Sequence, residues 1–139
     1  MIRAVLDTNV VLASQRTSNP QSPNAEIISR WQSGAFVWLF SDDNLTEYLE
    51  KLVEHEISDA KSVELIARLF LGGGRVPVSF FHLRHYPVDA DDTAFLLTAL
   101  NGHATHLVTY DTDLLDVAIF YPEFTTCRPL TFLEDLAQS

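Results

Sequence analysis

Short apolar runs alternate along this chain with stretches whose apolar residues recur at helical spacing. Ile2 to Leu6 (IRAVL) stops abruptly at Asp7, and such a run predicts a strand buried inside a parallel sheet. A helix is expected to begin near Val10. Ser18 to Asn24, with two prolines among small polar residues, predicts a loop. Ala25 to Gln32 follows as a helix stopped by Gly34, and Phe36 to Phe40 (FVWLF) as a second buried strand.

Ser41 is the expected cap of a helix over Asp42 to His55, whose apolar stripe is Leu45, Tyr48, Leu49, Leu52 and Val53. Asp59 is the expected cap of the next, Ala60 to Leu71, with Val63, Ile66, Ala67 and Phe70 facing inward and Gly72 to Gly74 ending it. Arg75 to Phe80 is extended, and Pro77 makes it a poor central strand. Asp91 or Asp92 caps a helix to Asn101 that stops at Gly102. His106 to Thr109 is a strand, and Asp113 to Val117 a helical turn. Thr131 and Glu134 spell a capping box for a last helix reaching Ala137. Alternation of this kind predicts a single α/β domain over residues 1–139, with a mostly parallel sheet and helices on both faces.

Charge narrows the functional classes. The formal net charge is −10 over 139 residues, with 19 Asp and Glu against nine Lys and Arg. Such a surface argues against nucleic-acid binding through a basic face and against docking on anionic membranes. It suits a hard cation, whose natural ligands are carboxylates. No apolar run approaches the roughly 20 residues of a membrane span. Asp7 interrupts any leader-like stretch, so the expected location is the cytoplasm. The single cysteine, Cys127, excludes an internal disulfide and a cysteine-based zinc site. Gly72 to Gly74 lacks a following Lys-Ser/Thr and is no phosphate loop. The five histidines (55, 82, 85, 103 and 106) show no metal-ligand spacing and read as surface or satisfied residues.

Open α/β sheets bind ligands at the carboxyl ends of their strands. Asp7 falls there, as does the cluster Asp89, Asp91 and Asp92, and then Asp111 with Asp113. Glu47 lies early in the helix after the second strand. Grouped at one edge, these carboxylates would repel one another, and Mg²⁺ or Mn²⁺ would remove that penalty. Each also has a plainer use. Asp7 fits a turn, Asp91 and Asp92 fit helix caps, and Asp111 with Asp113 fits a solvated turn. Glu47 lies opposite the Leu45/Leu49/Leu52 stripe, which makes it a solvated residue on periodicity alone. Thr8 and Asn9 serve either to orient Asp7 or to cap the first helix.

Four segments carry a family resemblance: VLDTNVVLAS (Val5 to Ser14), SDDNLTEYLEKL (Ser41 to Leu52), DADDTAFLLTAL (Asp89 to Leu100) and HLVTYDTDLL (His106 to Leu115). In this order the chain resembles PIN-domain ribonucleases, in particular relatives of the VapC toxins of toxin–antitoxin pairs. The closing RPLTFLEDL is similar as well. The resemblance implies a PIN-like three-layer sandwich. It places the acidic site on Asp7, Glu47, Asp92, Asp111 and Asp113, holding Mg²⁺ or Mn²⁺ for hydrolysis of RNA, with Thr8, Asn9 and Thr109 in support. Asp89 and Asp91 remain capping or supporting residues. Tyr110 departs from the glycine frequent in relatives, and the loop from Arg16 to Asn24 from their length.

The implied partners are an RNA substrate, a small antitoxin and a second copy of the chain. Trp31, Trp38, Phe80, Phe81 and Tyr121 are available for such a surface, although core packing is their commoner use. The alternative is a catalytically weak PIN scaffold that binds RNA or protein. A haloacid-dehalogenase-type phosphohydrolase also puts an Asp after its first strand, but needs a second Asp where this chain has Asn9. One or two cations among five grouped acids would offset much of the charge. RNA binding is therefore expected to need metal and the few available cations, such as Arg16, Lys51 or Arg84.

Overall fold

The computed structural model describes all 139 residues. Its elements run β1 (Arg3–Leu6), α1 (Thr8–Arg16), α2 (Pro23–Gln32), β2 (Val37–Phe40), α3 (Asp42–Glu54), α4 (Asp59–Gly72) and β3 (Gly74–Arg75). A 3-10 turn (Ala90–Asp92) leads into α5 (Thr93–Asn101), followed by β4 (His106–Val108), α6 (Thr112–Asp116), β5 (Thr125–Cys127) and α7 (Pro129–Gln138). The five strands form one sheet in the order β3-β2-β1-β4-β5. Every pairing is parallel, with Ala4 opposite Trp38 on one side and His106 on the other.

Side chains alternate across a strand, yet Ala4, Val5 and Leu6 are all fully buried, so helices cover both faces of the sheet. This is the three-layer α/β arrangement expected. Trp38, Tyr48, Tyr121, Phe40, Phe95 and Phe132 are the largest of its fully buried side chains. No helix is long and apolar enough to cross a membrane. The chain builds β2 and β3 outward on one side of β1, then crosses to build β4 and β5 on the other. The crevice at such a reversal, between the carboxyl ends of β1 and β4, is where open sheets take ligands.

Several local expectations shift. α1 begins at Thr8 rather than Val10, because Asp7 caps it by accepting the Thr8 N–H. Ser58, not Asp59, caps α4 through a bond from the Lys61 N–H. The capping box at Thr131 and Glu134 does not form. Pro129 takes the first helical position, where its missing N–H is harmless, and Thr131 lies inside α7.

The inward face of α4 is Ser62, Leu65 and Leu69, one residue out of phase with the expected stripe. Val63 and Phe70 are exposed, because α4 is apolar on more than one face and periodicity cannot choose between them. On α3 the buried row is Asn44, Tyr48 and Leu52, leaving Leu49 and Val53 exposed. Trp31, Trp38 and Tyr121 are core residues and present no surface, whereas Phe80 and Phe81 are exposed. β3 ends at Arg75 on the sheet edge, before Pro77. Gly34 stops α2 with φ +85°, a left-handed backbone that disfavours other residues.

Candidate active site

β1 delivers Asp7 directly to the crevice. Its Oδ1 accepts the Thr8 N–H at 2.8 Å and its Oδ2 accepts the Thr109 hydroxyl at 2.7 Å. The cap and the site residue are thus one side chain. Thr109 is fully buried after β4, and its Oγ1 accepts the Asp111 N–H at 2.8 Å. One hydroxyl therefore ties the ends of the two central strands to each other. The Asp7 N–H also donates to Val108 O at 2.9 Å.

α3 is fixed over the same edge. Ser41 and Asn44 form a reciprocal capping box at its start. The Tyr48 hydroxyl donates to Leu6 O at the end of β1. That bond turns Glu47 toward the crevice, where Thr8 Oγ1 donates to its carboxylate. Glu47 is half-buried beside the core row rather than solvated. The wheel argument failed because the Leu45/Leu49/Leu52 stripe it assumed is not the buried row: Leu49 is exposed and Asn44, Tyr48 and Leu52 face inward.

Asp92 arrives by a different device. Asp89 caps the 3-10 turn by accepting the Asp91 N–H at 2.9 Å. Asp92 stands at the start of α5 but makes no capping bond, so its carboxylate is not spent on the helix. It is buried, and its Oδ2 is the one carboxylate oxygen among the fully buried polar side-chain atoms without a hydrogen-bond partner.

These groups meet in a cavity of about 210 Å³ that includes Asp7, Glu47, Asp89, Asp91, Asp92 and Asp111, with Leu12 as its lone hydrophobic residue. Thr8, Asn9, Lys51 and His55 complete its wall. Asp113 does not line it; its backbone N–H donates to Asp111 Oδ1 at 2.9 Å, which makes Asp111 the cap of α6. Sequence reading missed His55, because its place at the end of α3 becomes relevant only when α1 packs beside it.

Repulsion and burial leave their mark on the acids. Burial, the hydrogen-bonding contact and charge of Asp111, and the charges of Asp7 and Asp89 push the Asp92 carboxyl up to about 8. Burial also raises Asp7, against the bonds from Thr109 and Thr8. Burial raises Glu47 as well, with Thr8 opposing and Asp7 and Asp91 reinforcing. A buried carboxyl with an unpaired oxygen and several acidic neighbours is what a hard cation stabilises. The donors are all oxygen, which suits Mg²⁺ or Mn²⁺ and not a thiolate-seeking metal. No three acidic, His or Cys side chains converge into a ready metal cage. The set fits an ion that takes one or two carboxylates directly and keeps waters for its other positions.

The sequence profile of the PIN domain matches residues 3–113, which contain this whole site. The chain belongs to the PIN-domain family. No curated protein matches its sequence. Among solved structures this PIN domain is similar to a chain of VapBC2 from Rickettsia felis bound to a DNA fragment from their promoter, with a TM-score of 0.59. The alignment covers 91% of this chain and 98% of that one at 11% identity, which speaks for the shared fold.

Proposed function

We propose that this PIN domain is an Mg²⁺- or Mn²⁺-dependent endoribonuclease and the toxin of a toxin–antitoxin pair in the cytoplasm. The buried, unpartnered Oδ2 of Asp92, a residue that lines one cavity together with Asp7 and Asp111, carries the reading. The motif resemblance to VapC-type ribonucleases and the likeness to a chain of a VapBC complex support the toxin role. By the same analogy the partners are single-stranded RNA, a small antitoxin and a second copy. Leu49, Val53, Val63 and Phe70, exposed on the adjoining helices α3 and α4, are available for protein contacts.

Asp7, Asp92 and Asp111 would hold the cation, one or two of them directly and the rest through its waters. When bound, it supplies Lewis acidity that acidifies water and stabilises charge on phosphate oxygens. Asp92, whose carboxyl is raised by burial and its acidic neighbours, would serve as a ligand in its deprotonated form. Thr109 keeps Asp7 oriented, and Thr8 keeps Glu47 oriented, so neither carboxylate must be reorganised during the reaction. Glu47, which lines the same cavity, would orient the attacking water and accept its proton. Asp113 acts on Asp111 through its backbone N–H and the cap of α6.

The test is RNA cleavage by the purified protein and its Asp7→Asn variant in Mn²⁺, Mg²⁺ and EDTA. Cleavage only with metal, lost in the variant, is expected. Equal activity in all three conditions, or an undiminished variant, would contradict the metal mechanism. Metal-independent RNA binding without cleavage of any RNA would favour the scaffold alternative.

A further inference from the structure

The cations of this acidic chain are not evenly neutralised. Five of the nine Lys and Arg, namely Arg30, Lys51, Arg68, Arg75 and Arg84, are paired with carboxylates. Arg3 donates to Gly102 O, and Arg128 stands apart before α7. The remaining two, Arg16 and Lys61, meet at the C-terminal end of α1. Arg16 donates to Nδ1 of His55, so that ring is an acceptor and leaves the guanidinium charge uncancelled. Lys61 Nζ donates to Gln15 O at 3.3 Å, one residue from Arg16.

His55 and Lys51 both line the acidic cavity, and they follow Glu47 at intervals of four along the α3 register, so all three share one face of the helix. Lys51 is held by Glu54 at 3.2 Å, a pair whose side chains are 38% and 61% exposed and therefore weak enough to exchange for a phosphate. Lys51 and His55 thus form the cavity's rim on this side; Arg16 adjoins it through His55, and Lys61 adjoins Arg16 through Gln15 O. Toward α5 the cavity continues differently. The charged groups lining the adjoining depression are four carboxylates, Asp43, Glu47, Glu50 and Asp91, against one cation, Lys51, which borders both directions. A polyanion leaving the centre meets net negative charge in that direction and the uncompensated charge of Arg16 and Lys61 in the other.

Resting on the proposed nuclease reading, we infer that Arg16 and Lys61, with Lys51 closer in, form the track that binds the RNA backbone on one side of the cleaved bond. Binding is therefore one-sided: the enzyme grips several phosphates on the α1/α3 side and few toward α5. The α-helical rise places Lys51 about one turn, ~5.4 Å, from Glu47, and His55 about a second turn further. These cations touch phosphates, not the reacting atoms, so they set affinity and not the chemical step.

The experiment compares wild type, the double variant Arg16→Ala/Lys61→Ala and a control, Arg128→Ala. Binding is read by fluorescence anisotropy in Mg²⁺ with a short single-stranded RNA carrying hydrolysis-resistant phosphorothioate linkages, over a salt series. Cleavage of the ordinary RNA gives kcat and KM. The double variant is expected to bind roughly tenfold more weakly with kcat unchanged. Its slope of log K against log salt should flatten by about 1.4, at ~0.7 for each phosphate no longer neutralised. Arg128→Ala is expected to match wild type. A double variant with wild-type KM and salt slope, or one no different from Arg128→Ala, overturns the track while leaving the nuclease reading intact. A wild-type protein that neither binds nor cleaves RNA overturns the nuclease reading itself.

Discussion

The two edges of the sheet treat charge in opposite ways. At the amino edge, where Arg3, Thr105 and Phe124 stand at or just before the start of their strands, a cavity of about 380 Å³ also contains charged groups. There Arg84 pairs with Glu123, donates to Phe120 O at 2.7 Å and lies 5.1 Å over the Tyr121 ring. Asn101 receives the Ser79 and Phe80 N–H groups and donates to Phe80 O and Leu97 O. At the carboxyl edge, six carboxylates share one cavity and a buried oxygen of Asp92 has no partner. The first edge is arranged for a stable fold. The second accumulates repulsion that a proton on Asp92 or an added cation relieves, the kind of cost that clusters at functional sites.

The contrast is broken most severely by exchanging one group on each side. Asp7→Asn is expected to lower metal-dependent RNA cleavage by at least ~100-fold while the folded state survives, since an amide of the same shape can still accept the Thr8 N–H. Glu123→Gln is expected to leave kcat/KM unchanged. Steady-state cleavage assays with thermal melts on both variants check the pair.

Thr109→Val is the next largest effect. It removes the hydroxyl that joins Asp7 to the Asp111 backbone, and a loss of about tenfold in activity or metal affinity is expected. An Asp111 N–H left unpaired also destabilises, by about 1–2 kcal/mol, read by denaturant unfolding.

Without metal, pH tests the same contrast. Asp92 has its folded-state carboxyl raised to about 8, with Asp7 and Glu47 raised as well. The folded state then binds more protons than the unfolded chain above pH ~4. The contribution of Asp92 to stability is fully present below that pH and is lost as pH rises toward 8. Melting in EDTA should therefore fall across this window, and Mn²⁺ should restore it most at the alkaline end. A metal-free melting temperature that rises between pH ~5 and ~8 would contradict the repulsion.

The smallest effect belongs to the amino edge. Arg84→Ala loses a half-exposed ion pair and the stacking over Tyr121, and should cost about 1 kcal/mol in chemical denaturation with no change in cleavage.

Much of this was legible in the residues. The apolar run stopping at Asp7 and the segment His106 to Thr109 located β1 and β4, the second one residue too long, and the alternation of elements implied the parallel sheet. Asp7, Asp92 and Asp111 were legible because each follows a strand or opens a helix at the carboxyl edge. Glu47 was not legible from periodicity, since its orientation depends on the bond from Tyr48 to Leu6 O across the fold. The faces of α3 and α4 were misjudged where apolar residues exceed what the core can cover. The pairing of Arg84 and the freedom of Arg16 and Lys61 depend on partners distant in sequence, which no local pattern encodes.

The most direct test of the central claim is calorimetric titration of Mn²⁺ into the wild-type protein and Asp92→Asn at slightly alkaline pH, just below the raised Asp92 value of about 8. Wild type should bind the ion and release protons as it does so, because Asp92 is partly protonated there. The variant, whose amide relieves the repulsion, should bind at least tenfold more weakly and release fewer protons. Equal affinity and equal proton release in the two proteins would contradict the account.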